Sequence, residues 1–291
     1  MILNKRLCEK AYGKINLYLD VTCKRQDGFH EVKSIMNSVS LFDEIEIELN
    51  DGDCDALVCD LPGIPLDGRN LAIKAVNAFR AETGKCFGTN IKIKKMIPAA
   101  AGLAGGSSDA ACVLRLLKKL SLTPITDEQM LKIASSIGAD VPFCYVGGTM
   151  LAEGKGERLT ASPSCPKLHL VIAIKGEGIS TPWAYGELDK KYVDFSDTGS
   201  GEKLERLCRA IESAQIQDIA ENMFNVFESV TEKERPEINA LKKIMVDNGA
   251  IRAMMSGSGP SVFGIFLGED EAKSTVEILR KYGADAHYCT T

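Results

Sequence analysis

No apolar run in the chain approaches the ~20 residues that a membrane-spanning helix needs. The start, Met1-Ile-Leu-Asn-Lys-Arg, has basic residues but no apolar segment behind them, so neither a membrane anchor nor a secretory leader is expected. The ten cysteines, scattered from Cys8 to Cys289, include no C-x-x-C pair and accompany no histidine-rich tract. A disulfide framework is therefore not expected, and free thiols in a cytoplasmic protein are. Neither charge predominates: 35 Lys plus Arg stand against 40 Asp plus Glu, a net charge of -5. That balance offers no footprint for nucleic acid or anionic lipid and suits a small-molecule partner. No internal repeat or low-complexity tract is present. The Walker A pattern G-x-x-x-x-G-K-[ST] and the dinucleotide pattern G-x-G-x-x-G are also missing.

What is present is an ordinary globular balance, 45% hydrophobic and 26% charged over 291 residues, enough for one large core or two modest ones. From Lys14 to Val21, apolar Ile15, Leu17, Leu19 and Val21 alternate with Lys14, Asn16, Tyr18 and Asp20, which predicts a half-buried strand. A second alternating run, with Ile45, Ile47 and Leu49 set against three glutamates, lies in Ser38 to Leu49 and makes the first third sheet-rich. Helices are predicted over Asn70–Thr83, over Asp127–Ile137 ending at Gly138, and after the small-residue loop at Pro98–Ser107; a strand is predicted over Asn90–Lys95. Beyond a strand at Leu168–Ile174, the pattern reads helix (Lys203–Ser213), helix (Asp218–Val230), helix (Pro236–Asn248), strand (Ala253–Met255), glycine loop, strand (Ser261–Leu267), helix (Glu271–Tyr282) and a short last strand. Without βαβ units of uniform length, α+β is the expected class. The expected division is residues 1–158 and 159–291.

Six segments carry chemistry. The run Ile97-Pro-Ala-Ala-Ala-Gly102-Leu-Ala-Gly105-Gly106-Ser107-Ser108-Asp109 follows a strand and opens a helix. Small residues there let a backbone approach a ligand, and the first turn of a helix suits a phosphate; a flexible loop with a capping Ser or Asp is the plainer alternative. Ser256-Gly-Ser-Gly-Pro-Ser261 lies between two strands and reads alone as a tight turn, or beside the first loop as a second wall for a nucleotide. Asp140, in Gly138-Ala-Asp-Val-Pro142-Phe, falls just past a helix where the proline biases the chain towards extended geometry; by itself it reads as a solvated or capping residue. Lys14 and Asn16 share one strand face, about 7 Å apart. Asp27-Gly28-Phe29-His30 and Ser180-Thr181-Pro-Trp183-Ala-Tyr185 bring aromatics beside polar groups, the first in a hairpin turn and the second at a helix start with Thr181 as N-cap.

In this order and context the segments resemble the GHMP kinase superfamily over nearly the whole chain. The resemblance implies a two-domain α+β fold with its active site in the cleft between the domains. ATP and Mg²⁺ are the implied cofactors, and the γ-phosphoryl group would pass to the 2-hydroxyl of a small molecule, a cytidine diphosphate-linked methylerythritol. Asp140 would then accept the hydroxyl proton, and Lys14 would orient the hydroxyl and favour its ionised form. Pro98, Ala99, Ala100, Ala101, Gly102, Leu103, Ala104, Gly105, Gly106, Ser107 and Ser108 would hold the phosphates, with Ser107 or Ser108 contacting phosphate or Mg²⁺. Asn70 and Lys95 would meet the adenosine. Asn16, Phe29, His30, Thr181, Tyr185, Gly257 and Ser258 would form the acceptor pocket, with the rings of Phe29 and Tyr185 sandwiching the cytosine. Gly13, Ala104 and Phe29 depart from the Ala, Gly and Tyr usual in the family. Two other readings stand beside this one: a kinase of the same superfamily acting on homoserine or mevalonate, and a nucleotide sensor without turnover.

Overall fold

The computed structural model describes residues 5–50, 52, 54–120 and 124–291. By internal contacts the chain forms two compact units, each assembled from separated segments. One comprises Met1–Gly13, Phe42–Pro98 and Ala104–Gly147; the other comprises Lys14–Leu41, Ala99–Leu103 and Gly148–Thr291.

The first unit takes residues up to Gly13 of β1 (Arg6–Lys24) and residues from Phe42 of β2 (His30–Asn50), then β3 (Asp55–Cys59), α1 (Leu71–Thr83), β4 (Gly88–Lys94), α2 (Gly105–Leu120), α3 (Asp127–Ile137) and α4 (Val141–Val146). β2 and β4 run antiparallel with Ile45 opposite Ile93 and Ile47 opposite Ile91, and β3 adds in parallel to β4. The alternation of the second strand thus does what its pattern predicts: the isoleucines enter a core with Val76, Phe79, Val113 and Leu117, while Glu44, Glu46 and Glu48 stay half-buried. Each fully buried side chain of this size contributes about 1.5–3 kcal/mol. Asn70 accepts the Ala72 N–H at 2.9 Å and starts α1, and Thr126 with Gln129 closes a capping box at α3, the arrangement that satisfies orphan amides at helix starts.

The second unit holds the rest of β1 and β2, then β5 (Thr149–Glu153), β6 (Arg158–Ala161), β7 (His169–Ile174), α5 (Thr181–Lys191), α6 (Lys203–Glu212), α7 (Ile216–Asn222), β8 (Phe224–Asn225), α8 (Glu228–Glu234), α9 (Pro236–Asp247), β9 (Arg252–Met255), β10 (Val262–Phe266), α10 (Glu269–Lys281) and β11 (Asp285–Thr290). β5 pairs antiparallel with β2 and β6, and β8 pairs in parallel with β1. A separate antiparallel sheet has the order β11-β7-β10-β9. Its apolar face shares a core with α5, α9 and α10 through Val171, Leu188, Leu241, Val262 and Leu279.

Four local expectations give way. The polar face of β1 is buried too, because Lys14, Asn16, Tyr18 and Asp20 each hydrogen-bond another side chain, and a satisfied polar group can be buried at little cost. The helix expected over Asp218–Val230 is broken at Met223, where Phe224 and Asn225 turn into β8 and pair with β1. Ser180, not Thr181, caps α5. Pro142 lies in the first turn of α4 rather than in extended chain, and Asp140 has helical φ -84° and ψ -13°, since proline fits the start of a helix where its missing N–H has no partner to lose.

Candidate active site

The loop between β4 and α2 is built on backbone that reverses hand repeatedly. Ala100, Gly102 and Ala104 have φ of 52°, 75° and 57°, and alternation of this kind turns successive N–H groups towards one concave side, a nest for anions. Gly102 is required twice over, by its positive φ and because a Cβ there would lie 2.2 Å from the Ser256 carbonyl oxygen. Ala104, where the family often has Gly, occupies the same left-handed region at a cost of roughly 1–2 kcal/mol. In the first turn of α2, Gly106 is exposed and Ser107 half-buried, whereas the Ser108 hydroxyl is buried and donates to the Tyr12 carbonyl. Ser107 is therefore the more accessible of the two serines.

In the first unit, three charges meet just before that helix. Lys95 Nζ donates to Asp109 Oδ2 at 2.8 Å and also to Asp43. Asp43 Oδ1 in turn accepts the N–H groups of Met96 and Ile97 at 2.6 and 2.8 Å. The side chains of Lys95, Asp43 and Asp109 are 5%, 0% and 6% exposed, so the Lys95 ammonium is committed to carboxylates. A Cβ on Gly105 would lie 3.3 Å from that ammonium. Burial, reinforced by the neighbouring charge of Asp43, pushes the Asp109 carboxyl up to about 7 even with Lys95 beside it. Burial pulls Lys95 down, but its two carboxylates outweigh that and leave it raised. Asn70 is engaged as a cap, accepting from Ala72 and donating to the Pro65 carbonyl at 2.8 Å. Asp140 stands half-buried at the start of α4, and its carboxylate does not cap that helix.

In the second unit, Lys14 is 4% exposed and donates from Nζ to Asn16 Oδ1 at 2.7 Å. Asn16 Nδ2 donates to Ser34 Oγ at 2.8 Å, and that hydroxyl to the Tyr18 carbonyl at 2.7 Å. The sequence brings the first two together by strand periodicity; Ser34, from the neighbouring strand, carries no signal of its own. His30 is buried, its Nε2 2.7 Å from Asp189 Oδ1, and its ring stacks on Tyr185 with centroids 4.6 Å apart. Lys24 holds the other oxygen of Asp189 at 2.5 Å. Burial would raise that carboxyl, but its bonds to Lys24 and His30 hold it below the usual range. The Tyr185 face that stacks on His30 is thus taken, while Phe29 is 56% exposed with Lys155 Nζ 4.5 Å from its ring centre. Thr181 and Ser258 meet through their hydroxyls at 3.0 Å.

The two glycine loops, expected as partners around a nucleotide, pack together inside the second unit. Ser256 Oγ donates to the Gly102 carbonyl at 3.1 Å and Ser261 Oγ to the Ala101 carbonyl at 2.5 Å. A Cβ on Gly257 would lie 3.0 Å from the Gly102 oxygen, so this is a backbone-to-backbone fit that only glycine allows. Among the described residues no group of three or more His, Cys, Asp or Glu could hold a metal ion. Asp43, Asp189 and Asn225 are the site's neighbours that sequence patterns do not reveal, because each matters through a partner far along the chain.

Residues 70–148 match the GHMP kinases N terminal domain and residues 207–285 the GHMP kinases C terminal domain. The 4-diphosphocytidyl-2-C-methyl-D-erythritol kinase of Acetivibrio thermocellus is 44% identical over 271 residues, covering 93% of this chain and 94% of that protein. Its namesake from Caldicellulosiruptor saccharolyticus is 41% identical over 282 residues, covering 97% and 96%. A crystal structure of 4-(cytidine 5'-diphospho)-2C-methyl-D-erythritol kinase matches with a TM-score of 0.80 at 30% identity, covering 98% of both chains. Homoserine kinase from Cytophaga hutchinsonii matches with a TM-score of 0.78 at 17% identity over 99% of this chain and 95% of its own, a likeness of fold. The nest of amides, the interlocked glycine loops and these full-length matches place the chain in the GHMP kinases, in the family of 4-diphosphocytidyl-2-C-methyl-D-erythritol kinases.

Proposed function

We propose that this protein transfers the γ-phosphoryl group of ATP to the 2-hydroxyl of 4-diphosphocytidyl-2-C-methyl-D-erythritol, a step of non-mevalonate isoprenoid synthesis. The observation that carries the reading is the seat of Gly102 against Ser256 and Gly257, which holds a nest of amides in a fixed shape, as an anionic triphosphate tail requires. Phosphoryl transfer needs in-line positioning and charge stabilisation more than covalent help. Asp140 is the proposed base for the hydroxyl proton. Lys14, kept aligned by Asn16, is the cation that steadies the alkoxide. Residues 98–108 cradle the phosphates, and Asn70 and Lys95 mark the adenosine side, Lys95 through its place in the fold since its ammonium is engaged.

Asn16, Phe29, His30, Thr181, Tyr185, Gly257 and Ser258 form the acceptor pocket. The hydroxyl pair Thr181–Ser258 and the Tyr185–His30 stack support the grouping of four of them. With the Tyr185 ring stacked on His30 and met edge-on by Phe227 at 4.9 Å between centroids, cytosine would lie on Phe29. Mg²⁺ fits as an ion that arrives on the nucleotide, because such sites use few protein ligands and several phosphate oxygens; Ser107, with its accessible hydroxyl, is the residue to hold it, and the ion supplies charge neutralisation. The two family matches fall one on each side of residue 158, in keeping with a division of the sequence at 1–158 and 159–291, although the compact units exchange residues 14–41, 99–103 and 148–158 across that line. A cytoplasmic location accords with ten cysteines that form no disulfide and with the finding that no described helix is long and apolar enough to cross a membrane.

ADP release measured with and without the cytidyl alcohol tests the reading. Release that depends on this alcohol is expected. Turnover of homoserine or mevalonate in its place, or ATP binding with no turnover of any of the three, would sink it.

A further inference from the structure

Asn225 sits where sequence periodicity predicts uninterrupted helix. Instead, Phe224 and Asn225 lie opposite Tyr18 and Leu19 of β1 in parallel register, and the Val226 N–H donates to the Leu19 carbonyl at 2.9 Å. The Asn225 side chain is 3% exposed and uses both ends. Its Nδ2 donates to the carbonyls of Met255 at 2.8 Å and Gly257 at 2.9 Å, and its Oδ1 accepts the Phe227 N–H at 3.0 Å. From there the bonds continue from Ser256 to Gly102 and from Ser261 to Ala101. The Lys14 N–H then donates to the Leu103 carbonyl at 3.1 Å and returns the path to β1. All these segments belong to one compact unit. The result is a closed circuit: β1, β8, the Ser256–Ser261 loop, residues 101–103, and β1 again at Lys14.

We infer that Asn225 is a positioning residue for phosphoryl transfer, setting the Ser256–Ser261 loop, and through it Gly102, at a fixed place relative to Lys14. The inference rests on the proposed roles of Lys14 and the glycine loops. An asparagine suits the task because one amide nitrogen supplies two donors while the oxygen accepts. It bridges the carbonyls of Met255, at the end of β9, and Gly257, in the loop that follows. No charge is involved, so the brace adds no field to a site that handles triphosphate. Asn225 is not expected to touch ATP or the alcohol; it acts through the loop.

The test is a double-mutant cycle in kcat with Asn225→Asp, Asn225→Ala and Ser256→Ala, carried out on the full chain. Misplacement of reacting groups by about 1 Å costs about 10²-fold, so the Asn225 variants should lose about 10- to 100-fold in kcat. ATP affinity from equilibrium titration should change by less than about threefold. Members of one circuit fail together, so the double variant should be about as slow as the slower single one. Asn225→Ser, which keeps a hydroxyl donor, is carried alongside in case the other two do not fold, with circular dichroism as the check. Unchanged kcat in any folded Asn225 variant would overturn the inference, and so would multiplicative losses in the cycle. Wild-type turnover of the cytidyl alcohol tests the underlying substrate assignment separately. The cycle is a ratio on whichever alcohol the wild type phosphorylates, so a wrong acceptor changes the assay substrate and leaves the test of Asn225 intact.

Discussion

The candidate residues of the two units are held by different means. In the first unit, the chain before α2 is tied by buried charges, Asp43, Lys95 and Asp109. In the second, the two glycine loops are tied by neutral groups: Asn225, Ser256 and Ser261. Neutral hydrogen bonds are each worth only about 1 kcal/mol and can fail one at a time. A buried ion cluster fails as a whole, because removing one member strands the others in a medium that solvates them poorly. The contrast separates residues whose loss unfolds the protein from residues whose loss misaligns it.

The largest effect should come from Asp140. As the proposed general base it would contribute about 10²–10⁴-fold, so Asp140→Ala should lose nearly all turnover while ATP affinity, measured by titration, stays near wild type. Lys14→Met should behave alike, with kcat falling more than nucleotide binding weakens. Equal losses in both quantities would remove Lys14 from its proposed role.

Lys95→Met comes next and acts on stability rather than on kcat. Leaving two carboxylates buried without their cation should cost about 3–5 kcal/mol, read from urea unfolding. A loss within the range of one neutral bond would erase the distinction between the units. The ion cluster should also report in pH. The Asp109 carboxyl is raised to about 7 from an ordinary value of 3.8. Between those values the folded chain holds a proton there that the unfolded chain has lost. Stability from this group is therefore full below about pH 4 and declines as pH rises through about 7. Asp109→Asn should flatten that part of the profile, seen as a difference between the melting curves that moves in the variant's favour as pH rises from about 4 to 7. The smallest effect is at Ala104, whose φ of 57° favours glycine. Ala104→Gly should raise stability by about 1 kcal/mol, measured by thermal melting.

How far the sequence reached depended on the range of the interaction. Helix α3 begins at Asp127 and ends at Ile137 as its cap and glycine predict, and α1 starts after Asn70 for the same local reason. The half-burial expected of β1 did not hold, because alternation shows which residues share a face and not what covers that face. Asn225 was hidden inside a helical periodicity, since a strand of two residues has no period to detect. The phosphate loop was legible from its small residues, while the commitment of Lys95 to Asp43, 52 positions earlier, was not.

Taken alone, the amino-acid order determined the limits of helices such as α3, the core faces, the glycine positions that permit positive φ, and the family to which the chain belongs. These follow from propensity, periodicity and motif, all of which act over a few residues. Tertiary structure alone decided which polar groups are spent on holding the fold, as Lys95, Asn70 and Ser108 are, and which second loop meets the first. Pairing of that kind depends on burial and distance across segments as much as 160 positions apart, and neither quantity is a local property of a chain.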